Sequence, residues 1–181
     1  MIGGRFGELL AAAQRGDEGA FTVLWRDANP ALVRYLRVIV AAEAEDVAAE
    51  TWTSVIRGFR TFRGDEDGWR CYLFAIARRR AIDHTRYRSR RPESLVGEPT
   101  SVWDAVGGDV ADEALQNLDT RRALRLVASL PPLQAEVLML RVVAGLDVNA
   151  VARIVGKSPG AVRVAAHRAL KALARTLEPA M

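Results

Sequence analysis

Val148-Asn149-Ala150-Val151-Ala152-Arg153-Ile154-Val155-Gly156-Lys157-Ser158-Pro159-Gly160-Ala161-Val162-Arg163 holds the start and stop signals of two short helices and the turn between them. Val151 with Ile154 and Val155 gives the first helix an apolar face, and Ala152 is small where a second helix must cross closely. Gly156 can take the positive φ that ends a helix in a tight turn. Ser158 is a favoured N-cap and Pro159 suits the first helical position, so a new helix begins there. Val162 and Ala166 are expected to return to the core, leaving Ser158, Gly160, Ala161, Arg163, Val164 and His167 facing outward. Such a hairpin sets the start of its second helix into a DNA major groove. Arg163 is the expected fork onto a base edge or phosphate, and Arg168 and Lys171 are expected on the backbone. Ala161 and Val164 are small and apolar, which suits a thymine methyl.

Outward from this segment the chain keeps a helical period and shows almost no strand alternation. Upstream lie Pro131-Pro132 and an apolar stripe of Leu115, Leu118, Ala123, Leu124 and Val127; downstream the helix from Pro159 runs to about Leu177. Nearer the start, Asp17 precedes a run with Ala20, Phe21, Leu24 and Trp25 on one face, and Pro30 opens a further series through Leu32, Val33, Leu36 and Ile39. An acidic helix follows, with Glu43, Glu45, Asp46 and Glu50 outward and Val47, Trp52 and Val55 inward. Arg63-Gly64-Asp65-Glu66-Asp67-Gly68 reads as a loop, and helix resumes from Trp69 to about Arg88. The expected fold is all-α, with helical domains over 1–91 and 113–181.

Residues 92–112 differ in kind: prolines, glycines and five acids, with no Lys or Arg. They read as a flexible acidic linker. At ~3.3 Å per residue it reaches about 70 Å, or about two turns of duplex at ~3.4 Å per base pair. On either side the charge is basic. Between Arg57 and Arg91 stand eleven arginines against Asp65, Glu66, Asp67 and Asp83. Arg153, Lys157, Arg163, Arg168, Lys171 and Arg175 follow one another with no acid between them. Two such blocks draw in a polyanion and release its counterions on binding. The formal net charge of +4 conceals this distribution. Lys157 and Lys171 are the only lysines among 26 basic residues, and arginine's planar fork suits phosphate and guanine edges.

Other chemistries find little support. Cys71 is the only cysteine, which excludes a disulfide framework within the chain, and its neighbours Tyr72, Leu73 and Phe74 suggest burial. His84 and His167 lie far apart without Cys partners, so no metal site assembles from recognised spacings. Neither a Ser/His/Asp set nor a phosphate-cradling glycine loop appears, so no catalytic residue or cofactor is assigned. No stretch approaches the ~20 apolar residues that span a bilayer, and the first residues lack the order of a secretory signal. A cytoplasmic protein is expected.

Half of the aromatics fall between Trp52 and Phe74. Trp52, Phe59 and Phe74 read as core, while Phe62, Trp69 and Tyr72 flank the Arg63–Gly68 loop. Aromatic faces interleaved with arginine can hold an unstacked base against a positive surface.

In the order of its parts the chain resembles bacterial sigma factors of the extracytoplasmic-function group over nearly its whole length. Gly16-Asp17-Glu18-Gly19-Ala20-Phe21 and Pro30-Ala31-Leu32-Val33-Arg34-Tyr35-Leu36 are similar to the family's first helices. Ala44-Glu45-Asp46-Val47-Ala48-Ala49-Glu50-Thr51-Trp52 resembles its polymerase-docking helix. Phe62-Arg63-Gly64 and Ile76-Ala77-Arg78-Arg79-Arg80-Ala81-Ile82-Asp83-His84 resemble the segment that reads and opens the −10 element. Leu130-Pro131-Pro132-Leu133-Gln134-Ala135-Glu136-Val137 and Gly145-Leu146 introduce the family's −35-reading helix-turn-helix.

The resemblance implies an alternative sigma factor that directs core RNA polymerase to promoter DNA. It implies docking of Glu45, Asp46, Glu50 and Thr51 on the β′ clamp helices. It implies −10 contacts from Phe62, Arg63, Trp69, Tyr72, Arg78, Arg79, Arg80, Asp83, His84 and Arg86. The C-terminal domain would read −35 and meet the β flap, and an anti-sigma factor would be a further partner. Tyr72 stands where the family commonly has Trp, Arg79 where it has Asn, and Asn149-Ala150 and Val164-Ala165-Ala166 also depart from its pattern, so the promoter sequence does not transfer. A regulator that binds DNA alone, with residues 1–90 as sensor or dimerisation domain, is the alternative from the residues themselves.

Overall fold

The computed structural model describes residues 1–89 and 118–177. The expected linker, 92–112, lies outside them, as do Leu115 and the ends of both expected domains. A single-turn 3₁₀ helix, Gly3–Arg5, leads into α1 (Phe6–Gln14). Then come α2 (Glu18–Val40), a 3₁₀ turn (Ala41–Glu43), α3 (Ala44–Phe59) and α4 (Glu66–Ser89). The C-terminal set is α5 (Leu118–Ala128), α6 (Pro132–Leu138) continued by a π turn (Met139–Val143), α7 (Val148–Val155) and α8 (Pro159–Leu177). No strand occurs among the described residues.

α2 is the mast of the N-terminal set. Asp17 caps it by accepting from the Ala20 N–H at 2.9 Å. Pro30 does not open a second helix as expected; it lies inside α2. A proline there costs about 3 kcal/mol. Leu24, Leu32, Val33 and Leu36 are all buried on either side of it. At about 1.5–3 kcal/mol for each buried aliphatic side chain, tertiary burial outweighs that cost. α1, α3 and α4 pack around α2. Asn29, buried in α2, accepts from the indole N–H of Trp52 in α3 at 2.9 Å and so fixes the crossing.

In the C-terminal set α8 packs across α6 and α7. The two helical sets pack on each other: α5 and α6 lie on α2, and α7 lies on α4. Leu124, Met139, Leu140 and Val151 therefore share one apolar core with Leu32, Leu36, Phe74 and Ala77. Polar groups close the seam. Glu136 of α6 accepts from Arg78 Nε at 2.8 Å and from the Tyr35 hydroxyl at 3.1 Å. Arg70, buried, donates to Asp27 at 2.7 Å and to the Ala144 carbonyl across the seam at 3.4 Å.

Candidate nucleic-acid interface

The C-terminal turn is built as its residues dictate. Asp147 caps α7 by accepting from the Ala150 N–H at 2.7 Å, and that bond holds its carboxyl below the ordinary 3.8. Gly156 ends α7 at φ 67°, a left-handed conformation that costs a side-chain-bearing residue energy. Ser158 Oγ accepts from the Ala161 N–H at 3.2 Å at the start of α8. Val151, Ala152 and Val155 bury one side of α7. On α8 the inward positions are Val162, Ala165 and Ala169, and Ala166, expected inside, is only half-buried. Ser158, Gly160, Arg163, Val164, His167, Arg168 and Lys171 are all exposed, with Ala161 half-buried beside them. Pro159 has no N–H and Ser158 accepts those of Ala161 and Val162, so the exposed cations Arg163, Arg168 and Lys171 are what this face offers a phosphate.

The turn between α3 and α4 is a compact aromatic knot. Phe62 and Tyr72 are half-buried with ring centroids 5.3 Å apart. Trp69 lies beneath them, 5.6 Å from Phe62 and 6.1 Å from Tyr72, and is also held by Phe59 and Trp52. Only 2% of Trp69 is exposed, so the expectation of a base contact is corrected: this indole is the floor of the knot. Trp52, Phe59 and Phe74 are buried as expected, and Cys71 is half-buried. Arg63 is exposed, its guanidinium turned onto the carbonyls of Arg60 (3.0 Å) and Phe62 (2.7 Å). Asp65 accepts from the Gly68 N–H at 2.8 Å and starts α4 three residues before the expected Trp69.

α4 distributes its basic residues over more than one side. Arg79, Asp83 and Arg86 are exposed, and His84 is half-buried. Arg80 turns back to Ser54 of α3 with contacts of 2.8 and 3.1 Å. Arg78 is engaged by Glu136. The expected −10 set is therefore split: Arg63, Arg79, Asp83 and Arg86 are exposed, whereas the half-buried Arg78 and Arg80 are turned onto Glu136 and Ser54.

On α3, Glu45, Asp46 and Glu50 face solvent, and Glu45 accepts from Arg37 at 2.8 Å. Thr51 is fully buried with its hydroxyl donating to the Val47 carbonyl at 2.7 Å, which removes it from the expected docking set. A hydroxyl satisfied within its own helix turn can sit in a core. Ala49, Thr53 and Ile56 complete the exposed row, with Ile56 56% exposed. Ile56 is absent from the expected docking set, although an aliphatic residue nearly two turns past Glu50 on the polar side of a helix is a signal the sequence offers.

No helix among the described residues is long and apolar enough to cross a membrane. A sigma-70 region 2 family model matches residues 24–91, and a sigma-70 region 4 model matches residues 120–173. The chain is 34% identical to the ECF RNA polymerase sigma factor BldN of Streptomyces coelicolor, over 96% of this chain and 66% of that protein. It is 33% identical to the ECF RNA polymerase sigma factor ShbA of Streptomyces griseus, over 92% of each. Among solved structures it superposes on the sigma factor RpoE of Bartonella quintana, crystallised with the anti-sigma factor NepR, with a TM-score of 0.66 and 20% identity. That match covers 89% of this chain and 98% of the other and concerns the fold.

Proposed function

From a chain that belongs to the extracytoplasmic-function sigma factors of RNA polymerase, and so directs promoter-specific transcription, we propose a division of labour among its residues. The C-terminal helix-turn-helix reads the −35 element, with Arg163 on a base edge and Arg168 and Lys171 on the backbone. Ser158, Gly160, Ala161, Val164 and His167 line the approach. The α3–α4 turn and the open side of α4 bind the −10 element: Phe62 and Tyr72 receive an extruded base, Arg63, Arg79 and Arg86 meet phosphates, and Asp83 and His84 flank them. Glu45, Asp46 and Glu50, with Ile56 beside them, dock on the β′ clamp helices. The domain division at 1–91, 92–112 and 113–181 belongs to the same reading. So do a C-terminal contact with the β flap, a cytoplasmic location and a role without covalent chemistry of its own. A protein inhibitor of the kind bound to the Bartonella relative is a further partner.

The observation that carries this reading is the capped α7–α8 turn, whose exposed side is basic and whose buried side is continuous with the core. The experiment is in vitro transcription with core polymerase and mapping of start sites. The full chain is expected to footprint and open promoters only with core enzyme; an unaided footprint of equal strength would favour the stand-alone regulator. On the mapped promoters Arg163→Ala is expected to lose about 1–3 kcal/mol at one −35 position. An equal loss on every sequence would make Arg163 a phosphate contact instead.

A further inference from the structure

Gln14 closes α1 and sits against the turn that joins α3 to α4. Its side-chain amide donates to two carbonyls of that turn, Phe59 O at 2.9 Å and Phe62 O at 2.9 Å. The last carbonyls of a helix lack intrahelical partners, and an amide NH₂ carries the two protons needed to serve both. Both bonds are partly buried and tie the turn to an element more than forty residues away in the chain. Arg63 reaches the Phe62 carbonyl as well, but only from the next residue and from an exposed position. That guanidinium can swing to a phosphate without the turn losing its anchor. The ring that follows the anchored backbone is Phe62, one wall of the aromatic knot.

We propose that Gln14 is a positioning residue for promoter opening: by holding the Phe59 and Phe62 carbonyls it sets the Phe62–Tyr72 pair in the geometry that receives an extruded −10 base. The inference rests on the assignment of that turn to the −10 element. Gln14 itself does not touch DNA; it acts through the backbone it grips. What the position requires is a donor able to reach two carbonyls. Glutamate, the same size, cannot supply it, and alanine is too short, whereas a lysine ammonium has the protons and the reach.

The test uses holoenzyme assembled from core polymerase and the full chain, as wild type, Gln14→Glu, Gln14→Ala and Gln14→Lys. The probe is the single-stranded non-template −10 segment of a mapped promoter, with one abasic site walked along it. Wild type is expected to bind roughly tenfold more weakly when one particular base is missing, within the range that stacking on an aromatic side chain gives. In Gln14→Glu and Gln14→Ala that ratio should fall towards one, with core binding and affinity for the abasic probe retained. Gln14→Lys should keep it. A wild-type ratio in the Glu and Ala variants overturns the proposal, and so does an equal loss on both probes, which would mark a merely structural role. If no position responds in wild type, the base-trapping assignment falls and takes the proposal with it. That failure shows in wild type alone and is thus distinct from failure of the Gln14 role.

Discussion

Tyr35 is fully buried, yet its hydroxyl ends on the Glu136 carboxylate. Burial, and after it the negative charge of Glu136, push this phenol well above its ordinary 10.0, while Arg78 pulls the other way. Below about pH 10 the phenol is protonated in folded and unfolded chains alike, and contributes no pH dependence. Above it the unfolded chain releases the proton and the folded one keeps it, so stability falls as pH rises. Urea midpoints measured from pH 8 to 11 are expected to drop at the alkaline end in wild type and to drop less in Tyr35→Phe. The variant starts about 1.5 kcal/mol lower, the lower end for a bond to a charged group. A parallel decline in both would disprove the assignment. Single residues were the least legible part of the sequence. Thr51 stands among acids that are exposed, and Trp69 follows a loop, but tertiary packing, invisible in local composition, places both inside.

At the scale of elements, α3 and α4 approach closely at Gly58. A Cβ there would fall inside contact distance of the Tyr72 hydroxyl oxygen, while the adjacent ring carbon would stay at an ordinary 3.5 Å. Alanine gains about 1 kcal/mol of helix propensity over glycine. Overpacking at a rigid ring costs about 1–3 kcal/mol. Gly58→Ala is therefore expected to be neutral or destabilising, with Trp69 fluorescence shifted as Tyr72 moves. Adding Tyr72→Phe removes the offending oxygen and should recover about 1 kcal/mol; thermal melts of the single and double variants check both. The elements themselves were largely readable. Gly156, Ser158 and Pro159 mark their boundaries because capping is local chemistry, and the structure uses Gly156 and Ser158 as expected. α1 was missed because its alanine-rich run holds only Phe6, Leu10 and Ala13 as buried positions. The π turn of Met139–Val143 and the unbroken α2 at Pro30 depend on neighbours far off in sequence.

For the whole molecule, the seam between the N- and C-terminal sets carries the consequence that local reading could not supply. Glu136 holds two donors from the opposite set. Hydrogen bonds to a charged group contribute about 1.5–3 kcal/mol each, so Glu136→Ala is expected to shift the balance towards separated sets by at least about tenfold. Small-angle scattering should then give a larger radius of gyration, and amide exchange in α6 should quicken. Unchanged values for both would mean that the apolar core alone holds the seam. Glu136 takes the Nε–H of Arg78 and so orients that guanidinium across the seam. The partner of Arg78 is carried on the same polypeptide, at a local concentration that dilution does not lower and overproduction does not swamp. Synthesising more copies multiplies closed and open seams alike; only a change in ionic milieu or a differential binder alters their proportion.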